Sequence, residues 1–576
     1  MKKNRWIDKN DIFCLVLLTI CFLAASTKIT SYDFWWHVKT GELIYSTGHI
    51  PATDHFSFTS PGHPRIAHDW LSELIFYLLM QIGSFPAVVL LKGLTIAAAF
   101  FFIIRYLRKQ ETSFSWISLC VLLSMFGARF RFTERPELFS LFFTVLILFL
   151  LYDGRRTGDL WKFYCVVPAA ALWVNLHGGG VLAPFYIIFF LIGELSDRAA
   201  PFLFRTTGRE EGGKRISLSH LLLVLLLVLL VTLINPSGME LWKATSEANV
   251  MQSSGFAVNP EWSRPDAVDF PLFYLSLMLF LIVAAFSIKR LDFSQFFITL
   301  FLSFIACIYL RMIGFFFVAL PFFLGTHATH MGITAKGKEF FRKVFESKFL
   351  PACSLVLIAL SALFFIFYRG IQEFGFGVKP GRFPTEASDF LEKNYRGEFL
   401  YNDVRFGGYL IWRFYPERKV FVDGRNELYE ALLARIAQGL NDYSEWHELL
   451  EDHKIDGALV SFWPELKGVI YGSAEEGQPS KKGYRAYSAF LFQKRDWALV
   501  YWDDLAMVFL KRNPRNALTI QKYEYRYLNP EDWEHILVLS REDRSLKENV
   551  LTEIVRRLNE SPVSQKAALL YEKLKD

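Results

Sequence analysis

Eleven apolar stretches recur along this 576-residue chain, at 12–30, 84–106, 114–128, 137–152, 162–176, 181–195, 217–235, 270–288, 293–310, 313–325 and 350–368. They constrain the fold more than any motif. A hydrocarbon core of ~30 Å takes about 20 apolar residues per helix, so the longer stretches read as membrane spans and the shorter ones as thin or re-entrant helices. No water pairs the backbone at that depth, so the runs read as helices. Composition agrees, with 52% hydrophobic residues, 58 Phe and only 21% charged residues. That balance excludes a single soluble enzyme, a disordered chain and a nucleic-acid binder. The predicted class is a polytopic α-helical membrane protein.

Lys and Arg number 63 against 57 Asp and Glu, so placement matters more than the sum. With the N-terminus inside, the inner segments 1–11, 105–113, 153–162, 194–216, 289–292 and 326–349 carry 22 Lys/Arg, against 9 in outer segments of similar total length. Basic loops stay in the cytoplasm, which predicts an odd number of spans and a C-terminal part on the far side. All six cysteines lie in apolar runs, as small hydrophobes do. Asp33-Phe-Trp-Trp-His37 follows the first apolar run with no small-residue cleavage site, so that run reads as a retained span rather than a signal peptide. Residues 66–82 read as an amphipathic interfacial helix.

Past residue 368 the character changes. Short apolar bursts at 399–401, 420–422, 458–460 and 499–501 read as strands, with helices at 427–437 and 444–453 and a final hairpin turning at Asp503-Asp504. The division expected is a transmembrane domain over 1–368 with a large first outer loop at 31–83, an extracytoplasmic α/β domain over 369–528, and a helical hairpin tail over 529–576 behind an Asn529-Pro530 cap.

Polar side chains at membrane depth cost about 2.5–3.5 kcal/mol, so their positions are informative. On this topology they gather at the outer ends of spans: Asp33, His37, His68, Asp69, Glu73, Arg129, Arg131, Glu134, Arg135, Asn175, His177, Asn235, Glu261 and Arg311. The inner face shows only ordinary basic flanks. Polar loops explain exposed charges, but they explain Trp-Trp-His and Asn-Leu-His-Gly-Gly-Gly at span ends less well. A shared outer site is the sharper reading.

Asp33 and His37 are four residues apart, so one helix face holds both. A partly desolvated carboxylate there can act as general base on a sugar or lipid hydroxyl; the plain alternative is an interfacial anchor with Asp33 as N-cap. His68, Asp69 and Glu73 add acid/base capacity, and a divalent metal on Asp33, His37, His68 or Asp69 is a further use of the same groups. Arg129, Arg131, Arg135 and Arg311 suit phosphate oxygens, against salt bridging to Glu134 and Glu137. Lys92 either snorkels or faces a polar interior. Gly178–Gly180 follows no strand, so it reads as a close-packing element rather than a phosphate loop.

These features together resemble the GT-C fold glycosyltransferases. The opening Asp33-Phe-Trp-Trp-His-Val-Lys-Thr-Gly, Asp54-His-Phe-Ser-Phe-Thr, His68-Asp69-Trp-Leu-Ser-Glu, Trp173-Val-Asn-Leu-His-Gly, Asn235-Pro-Ser-Gly, Glu261-Trp, Gly407-Gly-Tyr-Leu-Ile-Trp and Val422-Asp-Gly-Arg425 resemble a bacterial branch of that group. The resemblance implies an inverting transferase at the periplasmic face of a bacterial inner membrane. Its donor would be a polyprenyl-phosphate sugar, its other partners membrane lipids, and its acceptor a lipid, glycan or protein. Asp33 would be the base, Arg129, Arg131 and Arg311 the phosphate clamp, with His37, His68 and Asp69 orienting them. A paired acidic motif of several members is absent, since Tyr32 and Phe34 flank Asp33. Two rivals remain: a flippase of lipid-linked sugars, which predicts repeated halves and broken midplane helices, and a non-catalytic assembly protein, which predicts dispensable outer-loop acids.

Overall fold

A computed structural model describes residues 9–204, 216–244, 260–327, 349–463, 466–471 and 481–575. The chain divides into two compact units: Met1–Ser31 with Thr40–Ile50 and Ile66–Lys379, and Tyr32–Lys39 with Pro51–Arg65 and Pro380–Asp576. Most of the predicted inner segments 1–11 and 326–349, Lys338 included, lies outside the described residues, as does 205–215.

In the first unit every predicted apolar stretch is helical. Among the described residues, five helices are long and apolar enough to cross a membrane: Trp70–Lys109, Phe114–Arg131, Glu137–Thr157, Gly178–Ala199 and Leu310–His327. Six more are apolar but shorter: Asp11–Ala25, Leu160–Leu176, Leu218–Val231, Pro271–Phe286, Phe293–Ile308 and Cys353–Phe367. Glu137–Thr157 is the most deeply buried of the five. On Leu218–Val231, by contrast, Leu222, Leu226 and Leu230 face outward, a surface that suits lipid and not water. Gly193 makes one close crossing possible, because a Cβ there would meet the Ser294 backbone at 2.2 Å. The predicted interfacial helix and second span form one element broken at Gly83 and Ser84, where Ser84 has φ 54° two residues before Pro86.

One expectation fails here. The end of the bundle read as bearing only ordinary basic flanks holds a buried charge network. Arg155 reaches Glu194 at 3.2 Å and Asp292 at 3.0 Å, with Asp197 at 3.9 Å. His327 Nε2 accepts the Asp292 N–H while Nδ1 faces the Phe323 carbonyl, which places the ring proton on Nδ1. Lys109 and Lys162 both hold Asp153, at 2.7 and 2.8 Å. The reason is helix length: Leu182–Phe204 continues past the apolar stretch, so Glu194 in that stretch's last turn and Asp197 just beyond it both meet Arg155 instead of entering a loop.

The second unit carries a four-stranded sheet in the order β1-β2-β6-β5: β1 Leu400–Asn402, β2 Gly457–Ser461, β5 Trp497–Trp502 and β6 Ala506–Lys511. β1 and β2 are parallel; β6 runs antiparallel to both its neighbours, and β5–β6 is the hairpin predicted. A separate ladder, β3 Leu466–Tyr471 with β4 Lys481–Ala486, was not foreseen. Residues 420–422 stay out of the sheet. The Asn402 side chain occupies their backbone, accepting from the Phe421 N–H at 2.9 Å and donating to the Val422 carbonyl at 2.7 Å, and Val420 bridges Ser57. Gly407-Gly408 is no turn but lies inside the Val404–Phe414 helix. The helix expected from 427 starts at Glu430, after a single 3-10 turn. The tail has three helices, the first beginning at Trp533 behind Asp532, and Ile536, Val550, Ile554 and Leu570 join the core of Trp446, Phe492 and Trp502.

Removing the Arg155 guanidinium would leave Glu194 and Asp292 buried and mutually repulsive. Breaking a buried pair costs about 3–5 kcal/mol, so Arg155→Ala should lower the melting temperature in detergent by several degrees. An unchanged melting curve would show the network to be dispensable.

Candidate functional site

The first unit gathers its costliest side chains where Phe114–Ala128 ends and Glu137–Thr157 begins. Arg129–Arg131 is a single 3-10 turn and Pro136 caps the following helix, so the short connection returns Glu137 to Arg131. Arg131 forks onto Glu137, with Nε at 3.0 Å, and also reaches Glu261 at 3.2 Å. Arg135 holds Glu261 at 2.5 Å and the Ser31 hydroxyl at 2.9 Å. Arg311 lies 3.8 Å from Glu137 and stacks over Trp262 at 4.5 Å. Among the described residues, Arg131, Arg135 and Arg311 thus gather on Glu137 and Glu261. Burial alone would raise Glu261, but Arg135, then Arg131 and Arg311, outweigh it and hold the carboxyl below its usual range. Arg131 is 5% exposed, while Arg135 and Arg311 are 24% and 22% exposed, so the latter two are the accessible forks.

Arg129 stands in another setting. Its guanidinium donates to the Gln372 carbonyl at 2.6 Å and packs on Phe365 and Tyr368 at 4.9 and 5.1 Å. Lys92 faces inward: it contacts Glu134 and the Thr27 hydroxyl at 2.7 Å, both charged groups being 1% exposed. Glu134 is thereby occupied by Lys92 and not by the arginines.

Next to the arginine cluster are the histidines. His68 Nε2 meets Asp69 at 3.2 Å and Nδ1 faces the Ile66 carbonyl at 2.9 Å. The His68 and His177 rings are 6.2 Å apart. His177 Nδ1 accepts the Gly179 N–H at 3.0 Å and lies 2.7 Å from the Ser140 hydroxyl, which itself accepts from Trp173. An Nδ1 accepting a backbone N–H carries no proton, so the Nε2–H tautomer is fixed and Ser140 donates. Burial pushes the imidazole down to about 4, with Asp69 opposing and Arg311 assisting. His177 is thus a neutral hydrogen-bond donor at neutral pH. Asn175 is engaged with Trp70 at 2.9 Å and with the Ala171 and Ile234 carbonyls, joining three helix ends.

The second unit holds Asp33 and His37. Asp33 precedes the Phe34–Thr47 helix and its carbonyl accepts the His37 N–H at 3.2 Å; the buried His37 ring lies 3.6 Å from Trp36. Trp35 packs on Phe383, Tyr409 and Trp412. Nearby, Arg425 Nε and Nη2 fork onto Asp423 at 2.8 and 2.6 Å, while Nη1 reaches Asp54 at 2.8 Å. Tyr429 donates to Asp423 at 2.6 Å, and Ser57 donates to Asp54 at 2.6 Å. Nothing in the sequence pairs Asp54 with a residue 371 positions later, and Tyr429, Ser140 and Ser31 carried no signal of their own; Trp262 could have been found from its place beside Glu261. Among the described residues no three His, Cys, Asp or Glu side chains are grouped to hold a metal ion, so the divalent cation weighed for Asp33, His37, His68 or Asp69 has no such centre.

Arg425 is 2% exposed between two carboxylates, so Arg425→Ala should destabilise by about 3–5 kcal/mol. Burial would raise Asp423, but Arg425 and Tyr429 outweigh it and hold the carboxyl below its ordinary value. Its folded value lies under the unfolded ~3.9, so its stabilisation is complete above pH ~4 and is lost as pH falls through the folded value. Acid titration of the wild type should show this loss, and Asp423→Asn should flatten it. Full thermal stability in Arg425→Ala would refute the structural assignment.

No protein-family model matches this sequence, and no curated protein sequence matches it. Solved structures do share its fold. The oligosaccharyltransferase AglB from Archaeoglobus fulgidus, in complex with an inhibitory peptide and a dolichol-phosphate, aligns with TM-score 0.53 at 12% identity over 96% of this chain and 87% of that one. An Archaeoglobus fulgidus oligosaccharyltransferase tethered to an acceptor peptide aligns with TM-score 0.50 at 12% identity over 84% and 74%. ArnT from Cupriavidus metallidurans in the apo state gives TM-score 0.46 at 12% identity over 86% and 97%. The fold is GT-C.

Proposed function

We propose that this GT-C chain is an inverting membrane glycosyltransferase that moves a sugar from a polyprenyl-phosphate carrier to a lipid, glycan or protein acceptor at the periplasmic face of a bacterial inner membrane. The observation that carries the reading is the arginine cluster at the ends of apolar helices. Arg135 and Arg311 present partly exposed guanidiniums beside the buried Arg131, and such forks suit the phosphate of a lipid carrier. The AglB structure named above contains dolichol-phosphate, a ligand of this chemistry.

In the proposed step the Asp33 carboxylate takes the acceptor proton as the acceptor attacks the anomeric carbon. The bond from that carbon to the phosphate oxygen breaks, and its electron pair leaves with polyprenyl phosphate. Arg135 and Arg311 bind the departing phosphate, while buried Arg131 positions them through the shared glutamates. His177 donates from Nε2, and the His68–Asp69 pair orients the sugar. Arg129 and Asn175 act as positioning residues. The same reading takes all eleven apolar helices as crossings, with the N-terminus cytoplasmic and residues beyond 368 periplasmic.

Asp33→Asn keeps size and hydrogen bonding but removes the base, so release of polyprenyl phosphate should slow by ~10²–10⁴-fold with expression unchanged. Near wild-type transfer would sink the base assignment. For topology, single cysteines at Lys109 and His55 should be labelled from opposite sides by an impermeant thiol reagent, and one at Asp576 from the same side as His55. Labelling of 55 and 109 from one side would overturn the crossing count.

A further inference from the structure

We infer that Gly424 is a positioning residue that sets where the Asp33 carboxylate stands, an inference that rests on the base role proposed for Asp33. A Cβ built on Gly424 would lie 2.3 Å from Asp33 Oδ1, a distance at which something must shift. The backbone on either side is held, so the shift falls on the Asp33 carboxylate. Gly424 sits between Asp423 and Arg425, whose buried contacts with each other, Asp54 and Tyr429 fix the backbone on both flanks. On the opposite side, a Cβ on Gly408 would meet the Tyr32 carbonyl at 2.4 Å and Trp36 Cδ1 at 3.2 Å, and one on Gly407 would meet the Val422 carbonyl at 2.1 Å. Tyr32 is itself covered by Arg382 at 4.2 Å and by Phe383. The backbone carrying Asp33 is therefore confined between the Val404–Phe414 helix and the Asp423-Gly424-Arg425 segment. Glycine at 424 leaves a slot that fits an aspartate.

A general base must sit within hydrogen-bond reach of the proton it takes, and a misplacement of about 1 Å can lower the rate ~10²-fold. The test is a double-variant cycle on the full-length protein in detergent, using a panel of undecaprenyl-phosphate hexoses and pentoses, with thermal melts to report the folded fraction. If Gly424 acts through Asp33, Gly424→Ala lowers kcat by ~10²-fold with the donor KM unchanged. The double variant Gly424→Ala/Asp33→Asn is then no slower than Asp33→Asn alone. Losses that multiply in the double variant, or a Gly424→Ala kcat within about threefold of wild type, overturn the inference. Asp33→Glu leaves the glycine intact and decides the matter should Gly424→Ala not fold: its longer chain moves the carboxylate away from the place Gly424 leaves for it, so at least a ~10-fold loss is expected, and near wild-type activity overturns the inference. If instead Asp33→Asn transfers at the wild-type rate, the base reading itself falls, and this inference with it.

Discussion

A lysine in the apolar body is the constraint on which the first unit depends. Lys92 lies within an apolar helix and is 1% exposed, a position that an isolated ammonium does not tolerate. It is tolerated because Glu134 faces it and Thr27 supplies both a carbonyl and a hydroxyl. The second oxygen of Glu134 accepts the N–H groups of Thr30 and Ser31, at 3.2 and 3.3 Å. One buried pair thus ties the end of the first apolar helix, the long kinked helix and the Arg131–Glu137 connection together. Ser31, so placed, takes Arg135, and through Arg135 the pair reaches Glu261. Replacing either partner alone would strand a charge.

The second unit is organised by the same physics with the signs exchanged. Arg425 is the buried cation, and Asp54 and Asp423 flank it. It fastens the 51–65 segment to a sheet-bearing fold more than 350 residues later in the chain, and the Ser57–Val420 bridge and the Thr59 contact with the Phe421 carbonyl extend that attachment. In both units a buried ion pair with its lone pairs satisfied does what a loop of water-exposed polar residues could not: it gives an extended segment a single position. Phe56 packs on Arg425 and helps to exclude water from its pair.

The two ends of the Glu137–Thr157 helix solve different problems. Glu137 begins it beside Arg131 and Arg311, whereas Arg155, near its other end, meets Glu194, Asp197 and Asp292. The first arrangement leaves two guanidiniums, Arg135 and Arg311, partly exposed. The second leaves its guanidinium buried and saturated, which suits packing more than ligand binding. This contrast is why the functional reading rests on one end only.

The sequence alone determined that this chain is helical and apolar, where each apolar helix lies, and which polar residues stand at helix ends, because the length and position of a hydrophobic run are local properties of the chain. The hairpin at 497–510 and the β1 and β2 segments were legible for the same reason. Pairing was not. That Glu134 answers Lys92 and not an arginine, that Arg129 leaves the other three, and that Arg155 collects three carboxylates all depend on contacts between helices distant in sequence. The 420–422 segment shows the limit most plainly: its apolar residues read as a strand, yet the Asn402 amide occupies the backbone groups a neighbouring strand would use. Only the tertiary structure could decide that, because which partner satisfies a buried polar group is set by what lies beside it in space.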